Sequence, residues 1–260
     1  LQKAAFQSAS FASYQTRMTN LKKLYKLIND HSQELVEALN KDFGCRSKQE
    51  SEVAEIIGSL SSIRYLMKNL KSFMKPQKRA TSIWFLPAKN QVILQPLGVI
   101  GVMAPWNYSL HLTIAPMAAA LAAGNTVMAK MSELTPHTCA TLKALIGRHL
   151  NSNTVAVFGG EVAAAQQFSN LPFNHLLFTG STAVGKIIAK AAASNLTPVT
   201  LELSGKSPVV IGKDYDVTEA AKRIMWGKTF NAGQTCVAPD YVLLPKEKLL
   251  EFVRAAREAI

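Results

Sequence analysis

His175-Leu176-Leu177-Phe178-Thr179-Gly180-Ser181-Thr182-Ala183-Val184-Gly185-Lys186-Ile187 is the stretch whose reading decides the fold. An apolar run of strand length meets a glycine, and the residues beyond it follow a helical pattern. Glycines let a backbone approach a phosphate, and a helix start offers unpaired N–H groups with partial positive charge. The stretch therefore predicts strand, phosphate-binding turn and helix. Its G-x-x-x-x-G-K spacing imitates a P-loop, but that motif needs Ser or Thr next to hold magnesium, and Ile187 stands there. It is not G-x-G-x-x-G either. A glycine turn that serves only packing is the competing reading.

Working outward, the same alternation continues. Strands are predicted over 98–103, 126–130, 154–158, 175–179 and 198–203, with helices over 111–123, 136–150, 161–169 and 183–194. Strands alternating with helices imply right-handed crossovers and a parallel sheet covered by helices on both faces. Such sheets bind ligands beyond the carboxyl ends of their strands. The loops there carry Asn107, Lys130, Glu133, Gly159, Gly180 and Glu202. Lys130 with Glu133 suits ribose hydroxyls. Thr135 is the expected N-cap of the next helix, with Pro136 at its first position. Glu202 stands where a dinucleotide-binding fold keeps its ribose acid, about 20 residues past the glycine loop.

Upstream, Leu21, Leu24, Leu27, Ile28, Leu35, Val36 and Leu39 recur at helical steps, with Gly44 as a stop. Ser47-Lys48-Gln49-Glu50 reads as a capping box. Behind it Val53, Ile56, Ile57, Leu60, Ile63, Leu66, Met67, Leu70 and Phe73 form one expected apolar face, closed by Pro76. These helices are assigned packing and no chemistry. Ile83 to Leu97 is read as a hairpin around Pro87-Ala88-Lys89-Asn90.

With 260 residues, 48% of them hydrophobic, the chain can bury a sizeable core. Its net charge of +12 is scattered over helix patterns, and Lys75, Lys78 and Arg79 lack an interleaved aromatic platform. That predicts solvated faces and no nucleic-acid partner. The longest apolar stretch, Leu112 to Ala123, is short and carries Pro116, so no membrane span is expected. No apolar core of a signal peptide follows Leu1–Phe6, and Cys45, Cys139 and Cys236 show neither disulfide pairing nor metal-type spacing. A cytoplasmic protein with reduced thiols and no metal is expected.

Phe230-Asn231-Ala232-Gly233-Gln234-Thr235-Cys236-Val237-Ala238-Pro239 sets one cysteine in a turn between a helix pattern and a strand. By residue type alone it is a buried small hydrophobe or a nucleophile. Glu202 near a strand end and the Asn107 amide in Pro105-Trp106-Asn107-Tyr108 add a possible base and a possible oxyanion donor.

Those three stretches stand in order with Ala123-Gly124-Asn125, Lys130-Met131-Ser132-Glu133, Phe178 to Gly185, Leu201 to Pro208 and Gly233-Gln234-Thr235-Cys236. In that order the chain resembles the aldehyde dehydrogenase superfamily, in its class 3-like branch. Trp84-Phe85-Leu86-Pro87 and Leu196 to Glu202 are similar to bacterial coniferyl-type members. The resemblance implies that Cys236 attacks the aldehyde, that Asn107 and the Cys236 backbone N–H hold the oxyanion, and that Glu202 activates water against the thioester. It implies that Lys130 and Glu133 hold the adenine-side ribose, while Gly180, Ser181, Thr182, Ala183, Val184 and Gly185 receive the pyrophosphate and Trp106 lies beside the cofactor. NAD is expected, NADP remains possible, and the substrate is an aromatic or aliphatic aldehyde. Right after the Glu202 strand, Ser204 replaces a glycine usual in the family, a change beside the expected nicotinamide position.

The fold expected is α/β. Residues 1–79 form an N-terminal helical segment, 80–204 an NAD(P)-binding Rossmann-like domain, and 205–260 the start of an incomplete catalytic domain. The start at Leu1 and the stop at Ile260 suggest a fragment that binds cofactor and turns over poorly, from a protein that forms a homodimer. The competing functions are a nucleotide-binding module without catalysis and an acyl-phosphate or acyl-CoA reductase. The latter needs no deacylating base, so Glu202 argues against it.

Overall fold

In a computed structural model, which describes residues 1–8 and 11–260, the N-terminal apolar repeats fold as helices. Helix α1 (Gln2–Ser8) precedes α2 (Tyr14–Asp30), capped by Ser13, which accepts the Thr16 N–H at 3.2 Å. The apolar stripe of α2 buries Leu21, Leu24, Leu27 and Ile28. The chain breaks at His31 and continues as α3 (Ser32–Phe43), which buries Leu35, Val36 and Leu39. Gly44 ends it at φ 75°. Ser47 then accepts the Glu50 N–H at 3.0 Å, as the capping pattern predicts.

The next helical stretch departs from a single apolar face. It runs as α4 (Lys48–Ser51), a wide π turn over Glu52–Ile57, and α5 (Gly58–Phe73). Ile56, Leu60, Ile63 and Leu70 are buried as expected, but Val53, Ile57 and Phe73 are exposed. A π turn closes its hydrogen bonds one residue later than an α turn, so it takes Val53 and Ile57, which lie within it, off the stripe, while Phe73 is the last residue of α5. The side chains of Ser51, Glu55 and Ser59 take the fully buried places instead.

Strands β1 (Gln77–Arg79) and β2 (Asn90–Val92) pair antiparallel, Lys78 opposite Gln91. The hairpin therefore lies upstream of the one expected over Ile83 to Leu97. The backbone of Ser82 to Ala88 is occupied with itself: Phe85 N–H donates to Ser82, Leu86 to Ile83 and Ala88 to Phe85. Groups bonded inside a tight turn cannot also form a ladder.

The remaining elements follow the expected alternation. They are β3 (Val99–Met103), α6 (His111–Ala122), β4 (Thr126–Lys130), α7 (Pro136–His149), β5 (Val155–Phe158), α8 (Val162–Ser169), β6 (His175–Gly180), α9 (Thr182–Ala193) and β7 (Val199–Leu203). The sheet has the order β5-β4-β3-β6-β7, with β3 parallel to both β4 and β6. Ile100, Val102, Val127, Ala129, Val155 and Val157 pack one face of it against the N-terminal helices, α6 and α7. Val99, Met103, Leu176 and Phe178 pack the other face with Ile188 and Ala192 of α9. Gly101 permits this second face to close, since a Cβ there would lie 2.7 Å from Leu176 Cδ1. The helical N-terminus thus belongs to the sheet's core.

Thr135 does not cap α7 with its side chain. Asp42 of α3 does so from a distance. Its carboxylate accepts the N–H groups of His137 at 3.0 Å and Thr138 at 2.8 Å, and the Thr138 hydroxyl at 2.6 Å. A carboxylate also suits the positive end of the helix dipole. Asp42→Ala is expected to cost about 2 kcal/mol, because it removes a cap and leaves the buried Thr138 hydroxyl without this acceptor. A lowered urea midpoint checks this, and an unchanged one would mean that Asp42 does not support the helix.

Compactness divides the chain into two units, the first covering Leu1–Thr179 and Ala183–Glu202, the second Gly180–Thr182 and Leu203–Ile260. In the second, β8 (Ser207–Val210), α10 (Val217–Thr229) and β9 (Pro239–Leu243) form a parallel strand–helix–strand unit, followed by α11 (Leu249–Glu258). Asp216 caps α10 by accepting the Glu219 N–H at 2.7 Å. Ile211, Ala220 and Ile224 form its small core with Val242 and Phe252. Among the described residues no helix is long and apolar enough to cross a membrane.

Candidate active site

The parallel strands of the first unit end together. Met103 is level with Lys130 on β4 and with Phe178 on β6. The Ala104 N–H donates to Lys130 O at 3.0 Å, carrying the pairing one residue past β3. The chain then turns through Trp106, which is exposed, and Asn107, which is half-buried, into the buried Tyr108, Ser109 and Leu110. This loop lies where β3 meets β6, the point at which the connections change direction and parallel sheets open a crevice.

The loop is held from the N-terminal helices. Glu55 Oε2 accepts the N–H groups of Leu110 and His111, each at 2.9 Å. Its Oε1 takes Arg46 Nη1 at 2.9 Å, and the same nitrogen lies 3.5 Å from the Asn107 carbonyl oxygen. Burial pushes the Glu55 carboxyl above its ordinary range, while Arg46 and the two amides oppose that rise. The Arg46 guanidinium also stacks 4.6 Å from the Phe43 ring centroid and 5.3 Å from that of Tyr108. Sequence periodicity assigned this N-terminal region packing alone and did not single out Arg46, in the connection after α3, or Glu55. The legible signal was the four-residue spacing of Ser51, Glu55 and Ser59, a polar stripe inside an apolar helix.

At the end of β4, Lys130 is buried and its Nζ lies 3.3 Å from Glu133 Oε2. The Glu133 carboxyl is held below the usual range by its own backbone N–H first and by Lys130 second. An exposed carboxylate fixed on a buried amine fits a ribose diol, which needs one acceptor and one donor. Beyond Gly180 the first turn of α9 leaves Ser181, Thr182, Ala183 and Val184 exposed, with Gly185 buried beneath. Backbone amides at such a helix start suit a pyrophosphate. Glu202 is exposed on β7, next to β6 in the sheet.

In the second unit, Ser204 is tied down, its N–H donating to Gly180 O at 3.2 Å. Past α10 the backbone makes an abrupt turn. Asn231, Ala232 and Gly233 adopt φ values of 51°, 52° and 76°. Asparagine and glycine tolerate this left-handed region, whereas Ala232 stores on the order of 1 kcal/mol there. Gly233 has a second reason: a Cβ would sit 3.0 Å from the Lys228 carbonyl oxygen. The Ala238 N–H closes back on Thr235 O at 3.0 Å, leaving Cys236 and Val237 exposed at the tip. Cys139, by contrast, lies in the core, where burial pushes its thiol up.

The aldehyde dehydrogenase family pattern matches residues 2–260. The chain belongs to the aldehyde dehydrogenase family. A probable coniferyl aldehyde dehydrogenase of Pseudomonas aeruginosa is 51% identical over 259 residues, all of this chain and 54% of that protein. A coniferyl aldehyde dehydrogenase of a Pseudomonas species is 42% identical over 245 residues, 94% of this chain and 50% of that one. The solved structure of substrate-bound Staphylococcus aureus AldH superposes with a TM-score of 0.95 at 38% identity, over 99% of this chain and 56% of that one. A Mycobacterium tuberculosis aldehyde dehydrogenase complexed with NAD+ superposes at 0.89 and 27% identity, over 99% of this chain and 53% of that one. The chain spans about half the length of the curated relatives it matches.

Within the first unit, the strand register brings the loops of Asn107 and of Lys130 with Glu133 to the carboxyl end of the sheet. Glu202 belongs to the same unit, while Gly180 to Thr182 and Cys236 belong to the second.

Proposed function

We propose that the chain carries the nucleotide-binding domain and the nucleophile of an NAD(P)+-dependent aldehyde dehydrogenase. The observation that carries this is Cys236, exposed at the tip of the Thr235–Ala238 turn that follows the left-handed Asn231–Gly233 segment, in a chain of this family. Residues 1–79 pack on the nucleotide domain, 80–204 bind the dinucleotide, and 205–260 open the catalytic domain. The boundary between compact units at Glu202 and Leu203 supports the last division.

Cys236 as thiolate attacks the aldehyde carbon and forms a thiohemiacetal. The Asn107 side-chain amide and the Cys236 backbone N–H stabilise the oxyanion as charge develops. A nicotinamide held by the residues named below would supply the acceptor for the hydride on this carbon. The remaining thioester is opened by water, from which Glu202 takes a proton, and the carboxylic acid departs. Lys130 and Glu133 hold the adenine-side ribose, Gly180 to Gly185 receive the pyrophosphate, and Trp106 lines the cofactor site. The substrate is an aromatic aldehyde of coniferyl type, supported by the two Pseudomonas relatives. NAD is preferred over NADP, because the fixed Glu133 carboxylate repels a 2′-phosphate. The full protein acts in the cytoplasm as a homodimer.

The test is nicotinamide reduction by the natural full-length protein with coniferaldehyde and aliphatic aldehydes, on NAD+ and NADP+ in turn. Turnover is expected with both cofactors, about tenfold more efficient with NAD+, and Glu133→Gln narrows that ratio. Cofactor binding without turnover of any aldehyde would replace this reading by a nucleotide-binding module.

A further inference from the structure

We propose that Arg46 and Glu55 are positioning residues for the oxyanion donor Asn107, acting through the backbone of the loop that carries it. The inference rests on the reading of Asn107 given above. Its observations are independent of that reading and lie wholly within the first unit.

An oxyanion donor works only if it is fixed before the charge appears, because a mobile amide must be reorganised during the reaction. Asn107 stands on a loop, and loops are ordinarily the least rigid part of a sheet edge. Here the loop is restrained at the Asn107 carbonyl and at the residues that follow it. On the near side Arg46 Nη1 lies 3.5 Å from the Asn107 carbonyl oxygen and the guanidinium packs on the Tyr108 ring. On the far side Glu55 takes the N–H groups of Leu110 and His111. His111 begins α6, so one carboxylate both caps that helix and anchors the loop.

The two restraints are a single unit. Arg46 and Glu55 meet at 2.9 Å, with side-chain exposures of 3% and 0%. A buried pair of this kind is a weak source of stability, since desolvation offsets most of its attraction. What it does supply is direction. The π turn at Glu52–Ile57 brings Glu55 to the buried side, and wide turns of this kind recur at functional sites. A pair kept only for packing would have no need to reach the carbonyl of Asn107 and the amides three and four residues beyond it.

The variants are Glu55→Gln, which keeps an acceptor oxygen but loses the charge, and Arg46→Lys, which keeps the charge but loses the fork and the flat ring contact. Both are made in the natural full-length protein, alone and combined with Asn107→Ala. Asn107→Ala is expected to lower kcat about a hundredfold or more. Glu55→Gln and Arg46→Lys are each expected to lower kcat by roughly tenfold, with KM for aldehyde and the Kd for cofactor changing less than about twofold. The deciding readout is non-additivity: in the Asn107→Ala background either substitution should cost almost nothing further. A purely structural role would lower the unfolding temperature and cost the same in both backgrounds, and that result would overturn the inference. So would unchanged kcat in both single variants. If Asn107→Ala itself leaves kcat intact, the oxyanion reading fails first and the positioning role falls with it. Glu55→Gln supplies the answer if Arg46→Lys does not fold.

Discussion

Replacing Cys236 by alanine is expected to abolish aldehyde oxidation, with kcat falling by roughly ten-thousandfold or more. The size of the effect follows from covalent chemistry. On the proposed mechanism no thiohemiacetal forms without the thiolate, and neither Asn107 nor Glu202 then has an intermediate to act on. The other two thiols offer no substitute. Cys139 sits in the core among Leu142 and Val157, and its thiol is pushed up by burial, so it is held in the unreactive form. Cys45 is exposed, but it lies beside Arg46 in the connection after α3, and its loss is expected to leave turnover unchanged. Because Cys236 is exposed, its truncation leaves no cavity and the unfolding temperature should stay within about 1 °C. Cofactor affinity should hold as well. The comparison of full-length Cys236→Ala, Cys139→Ala and Cys45→Ala on one aldehyde decides the matter. More than a few per cent residual turnover in Cys236→Ala would remove the nucleophile from this turn.

Glu202→Gln is expected to lower steady-state turnover by about a thousandfold, within the usual range for a lost general base, with cofactor affinity nearly unchanged. The substitution also separates two roles that the fold leaves side by side. Glu202 stands on β7, next to β6 in the sheet, about 20 residues past the glycine loop, the sequence distance at which a dinucleotide-binding fold keeps its ribose acid. Glu133 follows β4, which lies beyond β3 on the other side of β6. The strand that carries Glu202 and the strand that leads to Glu133 are thus three spacings apart, about 14 Å, which favours separate tasks for the two carboxylates. If Glu202 is the base, the variant should still form its thioester, giving a rapid burst of about one nicotinamide reduced per Cys236 before it stalls. A tenfold loss of cofactor affinity with normal turnover at saturation would reassign Glu202 to the ribose.

Much of this architecture is legible in local sequence. Val99–Met103 reads as a buried strand because every one of its residues faces a packed layer, so the run is uniformly apolar. Ser47 and Asp216 are recognisable caps because each accepts the N–H of the residue three places on, Glu50 and Glu219. The cysteine turn is visible from Asn231 and Gly233, two residue types that accept a left-handed backbone. The family pattern adds an order of motifs that local chemistry alone left ambiguous, since the glycine loop by itself fitted both packing and phosphate.

Other features were decided only by the tertiary structure. Thr135 has the composition of a cap, yet Asp42 occupies the start of α7 from α3. Ile57 and Val53 look like core residues, yet the π turn gives their place to Glu55. The hairpin moves upstream because the Ser82 to Ala88 backbone bonds to itself. The physical reason is range. Periodicity and capping act over three or four residues and therefore leave a pattern in the chain. The bond from Leu110 to Glu55 spans 55 positions and that from Thr138 to Asp42 spans 96. A carboxylate aimed across such a separation has the same local sequence as one aimed at solvent, and only packing determines which helix it meets.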